Sequence, residues 1–409
     1  MSVLIKNGYV VSQNKICDVL AQENKISYGN FESADKIIDA KGMCVFGGFV
    51  DLHCHLRDPG LTYKEDILSG SRAAAKGGFS TVCCMPNTKP VIDNSDTLKY
   101  ILEHEKVSDV LPVAAITKGE MGQELTDFEN LLENGAVAFS DDGVPVESAG
   151  IMKAALVQGK KCGAVFMLHE EDMSLRGSGC VNEGENSQKA GLPGIPNSTE
   201  EVTLARDIIL AKETGYKIHI CHISTKGSVD IIRQAKKEGV QITCETQPHY
   251  FSLDDSEILS GNTNMKVNPP IRTKADVAAI IKGIEDGTID AIATDHAPHS
   301  KEEKEKGMQT APFGMSGLET AFSVSYEKLV KSGVISISRL EELMSVNPKK
   351  IIGIEDFGLT ICDLDESWVL TEEQIVSKGK NSPYINKNLT GRVIYTILKG
   401  DIIYDRYAD

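Results

Sequence analysis

The sequence predicts an α/β protein whose main part is a (β/α)8 barrel, a TIM-like fold. Three observations lead to this prediction. From about residue 46, short apolar segments alternate with helix-like stretches, the apolar segments number eight, and the alternation extends over most of the chain. Repeated β-α units build a parallel sheet, and eight of them over roughly 250 residues are what a closed barrel requires.

The eight apolar segments are short and end in turn or polar residues, as buried strands do. In chain order they are CVFGGFVDLHCH, FSTVCCMP, VLPVAAIT, AVAFSDD, AVFMLHE, KIHICHI, VQITCET and DAIATDH.

Helix-like stretches lie between these strands, and several of them close on glycine, a common residue at the end of a helix. The clearest are YKEDILSGSRAAAKGG, TDFENLLENG, STEEVTLARDIILAKETG, KGSVDIIRQAKKEG and KADVAAIIKGIEDG.

The two ends of the chain do not follow this rhythm. MSVLIKNGYVV and KIIDAKGM near the start, and RVIYTILKG and DIIYDRY near the end, read as short strands with turn residues. We therefore expect residues 1–45 and 346–409 to form one small β-sandwich domain beside a barrel of residues 46–345.

Composition narrows the class of protein. With 41% apolar and 25% charged residues the chain is typical of globular proteins. A net charge of -16 argues against nucleic acid or an anionic membrane as a partner. We find neither a signal-peptide pattern nor a run of 18 apolar residues, so we expect a cytoplasmic protein. The ten cysteines form no CxxC pair, and we expect them to be reduced.

Residues that could bind a metal stand just after several predicted strands, where the strand ends of a barrel meet around one mouth. Alone, the two histidines of VDLHCHLRDPG would suit a metal or a protein core equally. Together with other strand-end residues they indicate a site for zinc or a similar divalent ion, or for two ions with a bridging ligand. The set is His53, His55, Asp141, Asp142, His169, His222 and Asp295.

Other polar residues give weaker signals. His219 is predicted to face away from His222 on a regular strand, and the roles of His249 and His296 stay open. The segment 300–314 is polar and long for a connection in a compact barrel, which makes it a candidate mobile lid.

Seven segments together resemble the dihydroorotases of the amidohydrolase superfamily, in particular the longer bacterial type of pyrimidine biosynthesis. These segments cover most of residues 46–325. They are DLHCHLRDPG, AAAKGGFSTVCCMPNTKPV, TDFENLLENGAVAFSDDGVPV, CHISTKGSV, MKVNPPIRTKAD, DGTIDAIATDHAPHSKEEK and APFGMSGLETAF.

The resemblance implies reversible, zinc-dependent cyclisation of N-carbamoyl-L-aspartate to (S)-dihydroorotate, with a metal-activated hydroxide as nucleophile and Asp295 as proton shuttle. It implies one or two zinc ions per chain, and it favours Asp142 over Asp141 as a ligand. The implied metal ligands are His53, His55, Asp142, His169, His222 and Asp295. The implied substrate contacts are Arg57, Asn87, Asn268 and His299, with the backbone of Phe313 and Gly314.

The residues themselves suggest why Arg57 would bind the substrate's unreacting carboxylate. Its planar guanidinium offers a fork of donors, and a position two residues beyond His55 would share that histidine's side of an extended strand. We expect the protein to act on a small-molecule substrate and to form a homo-oligomer, namely a dimer.

One region departs from the family pattern. GIEDFGLTICDLDESWVL lacks the usual Gly-rich turn and Ala-Asp pair, so the C-terminal strands are expected to be fewer or irregular. Two other functions stay open: a related cyclic-amide hydrolase, such as a hydantoinase or allantoinase, and a catalytically silent partner protein with the same fold.

Overall fold

The computed structural model describes residues 1–408, and its strands follow one another in four groups. Seven short strands come first: β1 Val3–Lys6, β2 Tyr9–Val10, β3 Lys15–Ile16, β4 Val19–Gln22, β5 Lys25–Tyr28, β6 Lys36–Asp39 and β7 Cys44–Gly47. Five barrel strands follow: β8 Phe49–Cys54, β9 Phe79–Cys84, β10 Asp109–Ala114, β11 Ala138–Phe139 and β12 Met167–Leu168. A two-stranded ribbon, β13 Val181–Asn182 and β14 Gly194–Ile195, precedes β15 Ile218–Ile220, β16 Ile242–Thr246 and β17 Ala291–Ile292. Three C-terminal strands complete the set: β18 Gly358–Val369, β19 Asn388–Leu398 and β20 Asp401–Asp405.

The barrel consists of two parallel four-stranded sheets, β8-β9-β10-β11 and β12-β15-β16-β17, that meet at both edges. A bridge between Phe139 and Phe166 joins the sheets at one seam, and a bridge between Cys54 and His296 joins them at the other. At the second seam the backbone N–H of His55 donates to the carbonyl of His296 at 2.7 Å. The eight predicted strands thus form a closed ring, as the sequence predicted.

The barrel interior is a packed apolar core below the strand ends. Val50, Leu52, Cys83 and Met167 are fully buried there, and Ile352 packs against the same cluster. Each such side chain contributes about 1.5–3 kcal/mol by leaving water. The polar strand ends therefore stand on a rigid apolar base.

Fourteen α-helices lie among the described residues, and most of the long ones cover the barrel. They are α1 Ile67–Lys76, α2 Ser95–Glu103, α3 Phe128–Glu133, α4 Ala149–Cys162, α5 Met173–Arg176, α6 Glu185–Ala190, α7 Ser198–Thr214, α8 Lys226–Lys237, α9 Pro248–Ser252, α10 Lys274–Glu285, α11 Lys301–Lys304, α12 Ala321–Ser325, α13 Ile337–Glu341 and α14 Asn347–Ile352.

Local side chains decide where several helices begin. The sequence pattern suggested a helix from residue 63, but α1 begins at Ile67 because the Asp66 carboxylate caps it by accepting from the Ser69 N–H at 2.7 Å. Thr225 and Thr273 cap α8 and α10 in the same way.

The chain ends form a β-sandwich, as predicted. One sheet has the order β5-β4-β1-β6, and the other combines both ends of the chain in the order β20-β19-β18-β7-β2-β3. Buried side chains such as Val3, Ile5, Leu359 and Ile397 fill the space between them. The C-terminal strands were expected to be fewer or irregular. Three are present, and β18 and β19 are long, with 12 and 11 residues. Their irregularity consists of shifts of register, as between Asp363 and Ser367.

Strand pairing suggests limits for the barrel that differ slightly from the residues 46–345 expected from the sequence. β7 pairs with β18 and β2 in the sandwich and ends at Gly47, whereas α14 packs against the barrel strand β8. We therefore propose that the barrel extends from about residue 48 to about residue 357.

Among residues 1–408, every helix is too short or too polar to cross a bilayer. All ten cysteines are free thiols.

An aromatic cluster joins the two domains, and it gives a test of their coupling. The Phe322 ring lies 5.6 Å, centroid to centroid, from both Phe46 of the sandwich and Phe49 of the barrel. Because the Phe322 side chain is buried, we expect Phe322→Ala to lower the free energy of unfolding by about 3–5 kcal/mol. Equilibrium denaturation would measure this loss. Tyr28→Ala, at a 43% exposed position, is the control and should change stability little; equal losses in the two variants would contradict the assignment.

Candidate metal centre and substrate pocket

Six predicted ligands meet at the carboxyl ends of the barrel strands, and none is more than 6% exposed. Each stands at the end of a different strand or just after it, except that β8 supplies two. They are His53 and His55 with β8, Asp142 after β11, His169 after β12, His222 after β15 and Asp295 after β17. We call these six side chains the metal centre.

Asp142 lies in the middle of the centre. Its Oδ1 atom is 3.3 Å from His53 Nε2 and 3.3 Å from His169 Nδ1. The same atom is 3.4 Å from His222 Nε2, and Oδ2 is 3.4 Å from His55 Nε2. Asp142 therefore belongs to two groups of possible ligands, one with His53 and His55 and the other with His169 and His222.

The neighbouring Asp141 points elsewhere. Its carboxylate accepts from the backbone N–H groups of Ile116 and Thr117 at 2.7 and 3.0 Å, and from the Thr117 hydroxyl. It fixes a loop, and of the two adjacent aspartates it is Asp142 whose carboxylate faces the histidines.

Three outer acceptors orient the imidazoles. Glu245 lies 3.2 Å from His53 Nδ1, Asn87 Oδ1 lies 3.0 Å from His55 Nδ1, and Glu171 lies 3.1 Å from His169 Nε2. When a cation binds, protons on these outer nitrogens would leave the lone pairs of the inner nitrogens free to bind it.

The residues present fit a divalent cation. His53 Nε2 is buried and lies 3.3 Å from Asp142 Oδ1, but it makes no hydrogen bond with any described residue, which is costly for a polar atom unless something binds it. Imidazole nitrogens and carboxylate oxygens are suitable ligands for zinc and related ions.

A third cluster of His53, Cys221 and Glu245 does not fit a metal. Both Glu245 oxygens already contact histidines, one His53 and the other His219. Burial also raises the pKa of the Cys221 thiol, which opposes the thiolate that a metal would need.

The two carboxylates of the centre are ionised. Burial alone would raise the pKa of Asp142, but the facing His53 and the hydrogen bonds from His169 and His222 hold it well below its usual range. Asp295 is likewise buried, yet its hydrogen bond with His55 and the charge of His53 lower its pKa to about 2.

A cavity of about 160 Å³ opens over the metal centre, smaller than the roughly 300–1,000 Å³ typical of pockets for drug-sized ligands. It suits a small metabolite. Its walls include five of the six residues of the metal centre and five of the predicted substrate contacts, namely Arg57, Asn87, Asn268, Phe313 and Gly314.

Arg57 reaches this cavity by a different route from the one expected. β8 ends at Cys54, and Arg57 has a left-handed backbone with φ 60°. Strand alternation therefore does not place it; the turn after β8 does. Its Nε donates to the Pro298 carbonyl at 3.3 Å, and its Nη2 lies 3.2 Å from His299 Nε2.

His299 stands behind Arg57 and does not line the cavity itself. Its Nε2 lies 2.8 Å from the Phe313 carbonyl, and its Nδ1 lies 3.2 Å from the Lys64 ammonium. Burial and the neighbouring Arg57 lower the pKa of His299 to about 2, so the ring is neutral. It can donate to the carbonyl and accept from the lysine at the same time.

The histidines left open lie outside the cavity walls. His219 contacts Thr243 and Glu245, as expected of a residue facing away from His222. His296 contacts Glu65, and His249 is buried beside Tyr250.

Sequence reasoning missed Glu171, Glu245 and Arg176. Glu245 gave a usable signal, since a carboxylate inside an apolar strand needs a buried partner. Glu171 follows His169 by two residues and also accepts from the Asn268 amide at 3.1 Å. Arg176 lines the cavity, with its Nε 3.2 Å from Glu171.

Comparison with known proteins agrees with this geometry. The family described as Dihydro-orotase-like matches residues 42–228. A dihydroorotase of Caldanaerobacter subterraneus subsp. tengcongensis is 46% identical over 99% of this chain and 98% of its own length, and one of Thermoanaerobacter sp. is 47% identical over the same shares. Among solved structures, the L-hydantoinase (dihydropyrimidinase) of Arthrobacter aurescens superposes with a TM-score of 0.88 at 26% identity, covering 99% of this chain and 96% of that one. With relatives this similar over nearly its whole length, the chain belongs to the dihydroorotase family.

Proposed function

We propose that the protein is a metal-dependent cyclic-amide hydrolase that interconverts N-carbamoyl-L-aspartate and (S)-dihydroorotate, a step of pyrimidine biosynthesis. The observation that carries this proposal is the arginine beside the metal centre. The cavity over the centre is bordered by Arg57, so a ring amide could lie at the metals while a carboxylate on the same ring meets a guanidinium.

We propose one or two zinc ions, held by His53, His55, Asp142, His169, His222 and Asp295, with Asp142 shared between the two ligand groups. When bound, such ions supply an activated water and fixed positive charge for the developing oxyanion. The chain contributes the ordering of the ligands, because Glu245, Asn87 and Glu171 orient the imidazoles from outside.

We propose that Asp295 moves the proton. Its Oδ1 atom is 3.1 Å from His55 Nε2, and its side chain lines the cavity where the ring amide would lie. In the hydrolytic direction the carboxylate accepts a proton from the attacking water and delivers it to the departing ring nitrogen. In the cyclising direction the same carboxylate takes the proton from the ureido nitrogen as the C–N bond forms, and returns it to the oxygen that departs from the substrate's carboxyl carbon.

We propose that Arg57, Asn87 and Asn268 bind the rest of the substrate, with His299 behind them and the Phe313 and Gly314 backbone opposite. Arg57 supplies a bidentate fork for the unreacting carboxylate. Asn87 lines the cavity and contacts His55, so it can bind substrate and orient a ligand together.

A hydantoinase-type activity is the second candidate, since a structure of that class shares the fold. Its cyclic substrates carry no carboxylate that would call for Arg57. The chain is 46–47% identical to the two dihydroorotases and 26% identical to the L-hydantoinase, which also favours dihydroorotase activity.

Turnover by the metal-replete protein tests the choice. We expect loss of absorbance from (S)-dihydroorotate on hydrolysis and little activity on hydantoin or allantoin. Activity on either competitor with none on dihydroorotate would reject the proposal, and activity on none of the three would favour a silent partner protein.

Arg57→Lys tests the carboxylate fork. Lysine keeps the charge but loses the planar pair of donors, at a cost of about 1.5–3 kcal/mol. We therefore expect the KM for dihydroorotate to rise about 10- to 100-fold with metal content unchanged. Steady-state kinetics and metal analysis measure both, and Arg72→Lys at an exposed position of α1 is the matched control. Loss of metal from Arg57→Lys would show that its role was misassigned.

Adjacent aspartates give a paired test of the metal centre. Asp142→Asn removes the shared carboxylate, so we expect the dissociation constant for zinc to rise by at least about 100-fold. Asp141→Asn should retain metal, because the hydrogen bonds of the Asp141 carboxylate go to Ile116 and Thr117 and not to the metal centre. Titration against a chelator of known affinity measures both values; equal metal loss in the two variants would count against Asp142 as the shared ligand.

We also propose a cytoplasmic homodimer. Val202 and Ile209, seven residues apart on α7, are 51% and 64% exposed, an apolar surface that a second copy could cover.

A further inference from the structure

The 300–314 segment is anchored to the barrel by an unusual lysine. Lys304, the last residue of α11, is only 4% exposed, although lysine is rarely buried without a charged partner. Its Nζ donates to three main-chain carbonyls, those of Lys266, Pro312 and Gly314, at 3.3, 3.0 and 2.9 Å. An ammonium has three N–H donors, so these acceptors use all of them.

Two of those carbonyls flank Phe313, the centre of the predicted backbone contact with substrate. Pro312 lies immediately before it and Gly314 immediately after, so one ammonium holds the peptide unit that precedes Phe313 and the one that follows Gly314. The Gly314 N–H also donates to the Lys266 carbonyl at 2.9 Å, and the Asn381 amide donates to the Gly314 carbonyl at 3.0 Å. The backbone around Phe313 is therefore held from several directions.

The Phe313 ring is held as well. Lys266 Nζ lies 4.5 Å from the ring centroid, and the Arg176 guanidinium carbon lies 4.9 Å from it, both within cation–π range. Arg176 is the last residue of α5, which follows β12, so the contact joins the segment to another part of the rim.

The backbone here also needs glycine. Gly314 has φ +133°, and a Cβ at this position would lie 2.6 Å from the Ala297 carbonyl oxygen. The segment thus packs directly against the chain that follows β17, with no space for a side chain between them.

We propose that Lys304 is a positioning residue that holds residues 312–314 in the substrate-contacting conformation, so that the 300–314 segment is a preformed wall of the pocket. The mobile lid that the sequence suggested for this segment is the alternative that the experiments test. The proposal rests on the proposed function for its substrate, and it concerns a residue that does not itself line the 160 Å³ cavity.

Lys304→Met tests the anchor, because methionine keeps an unbranched apolar side chain of similar length and removes all three donors. Lys301→Met is the matched control: it lies in the same helix, but its side chain is 73% exposed and its carboxylate partner Glu305 is 4.0 Å away. Both variants keep Glu302, Glu303 and Glu305, so cleavage by a glutamate-specific protease can be compared directly.

We expect Lys304→Met to be cleaved within 302–305 at least 10-fold faster than wild type, with the KM for dihydroorotate raised about 10-fold or more and metal content unchanged. Lys301→Met should match wild type in all three measurements. A wild-type cleavage rate or a wild-type KM in Lys304→Met would overturn the proposal. Cleavage does not depend on turnover, so failure of the proposed function would not be mistaken for failure of the anchor.

If Lys304→Met does not fold, the wild-type protein still decides between a wall and a lid. A preformed wall predicts that adding saturating dihydroorotate changes the cleavage rate within 302–305 by less than twofold. A mobile lid predicts rapid cleavage without ligand and strong protection with it, and that result would overturn the proposal. Cleavage after the exposed Glu372 and Glu373 provides an internal reference for protease activity.

Discussion

The Asp142 carboxylate, with imidazole nitrogens of four histidines 3.3–3.4 Å from its oxygens, is the contact on which the site depends. It follows β11, the fourth barrel strand, whereas His55 follows β8, the first, so the curvature of the ring brings the two together. A buried carboxylate is tolerable only where positive charge or donors surround it, and histidines and a cation both satisfy that condition. The same carboxylate divides the histidines into two pairs, which is why one chain can offer two adjacent ligand groups.

Positive side chains around the pocket locally offset the net negative charge of the protein. The chain carries a net charge of -16, yet Arg57, Arg176 and Lys64 all lie in or near the cavity that would take an acidic metabolite. Local positive potential of this kind concentrates an anionic ligand at the site although the rest of the surface repels it. The net negative charge thus argued against nucleic acid and anionic membranes as partners, while the positive side chains at the pocket show how a small anion could still bind.

The sequence predicted the barrel and the meeting of its strand-end residues, with Asp141 and Asp142 both left as candidates, because both follow from local pattern: apolar runs predict strands, and parallel strands in a barrel place their ends together. It could not predict contacts between distant side chains, such as Glu245 with His53, 192 residues apart. It also assigned Arg57 to the pocket for a geometric reason that does not hold, since β8 ends before that residue and a left-handed turn aims it. In the sandwich, the sequence pattern predicted short strands at both ends of the chain. The order of strands in the sheet that both ends share, and the register shifts between β18 and β19, depend on tertiary pairing that the local pattern does not contain.

The outer acceptors of the histidines have a consequence for the choice of a metal ion. Glu245 contacts both His53 and His219, so contacts within the chain itself set the direction of the His53 ring. The packing of the barrel strands, rather than the ion, would then align this ligand. Which ion the centre would hold in a cell would on this view depend on ligand preference and on the supply of each metal.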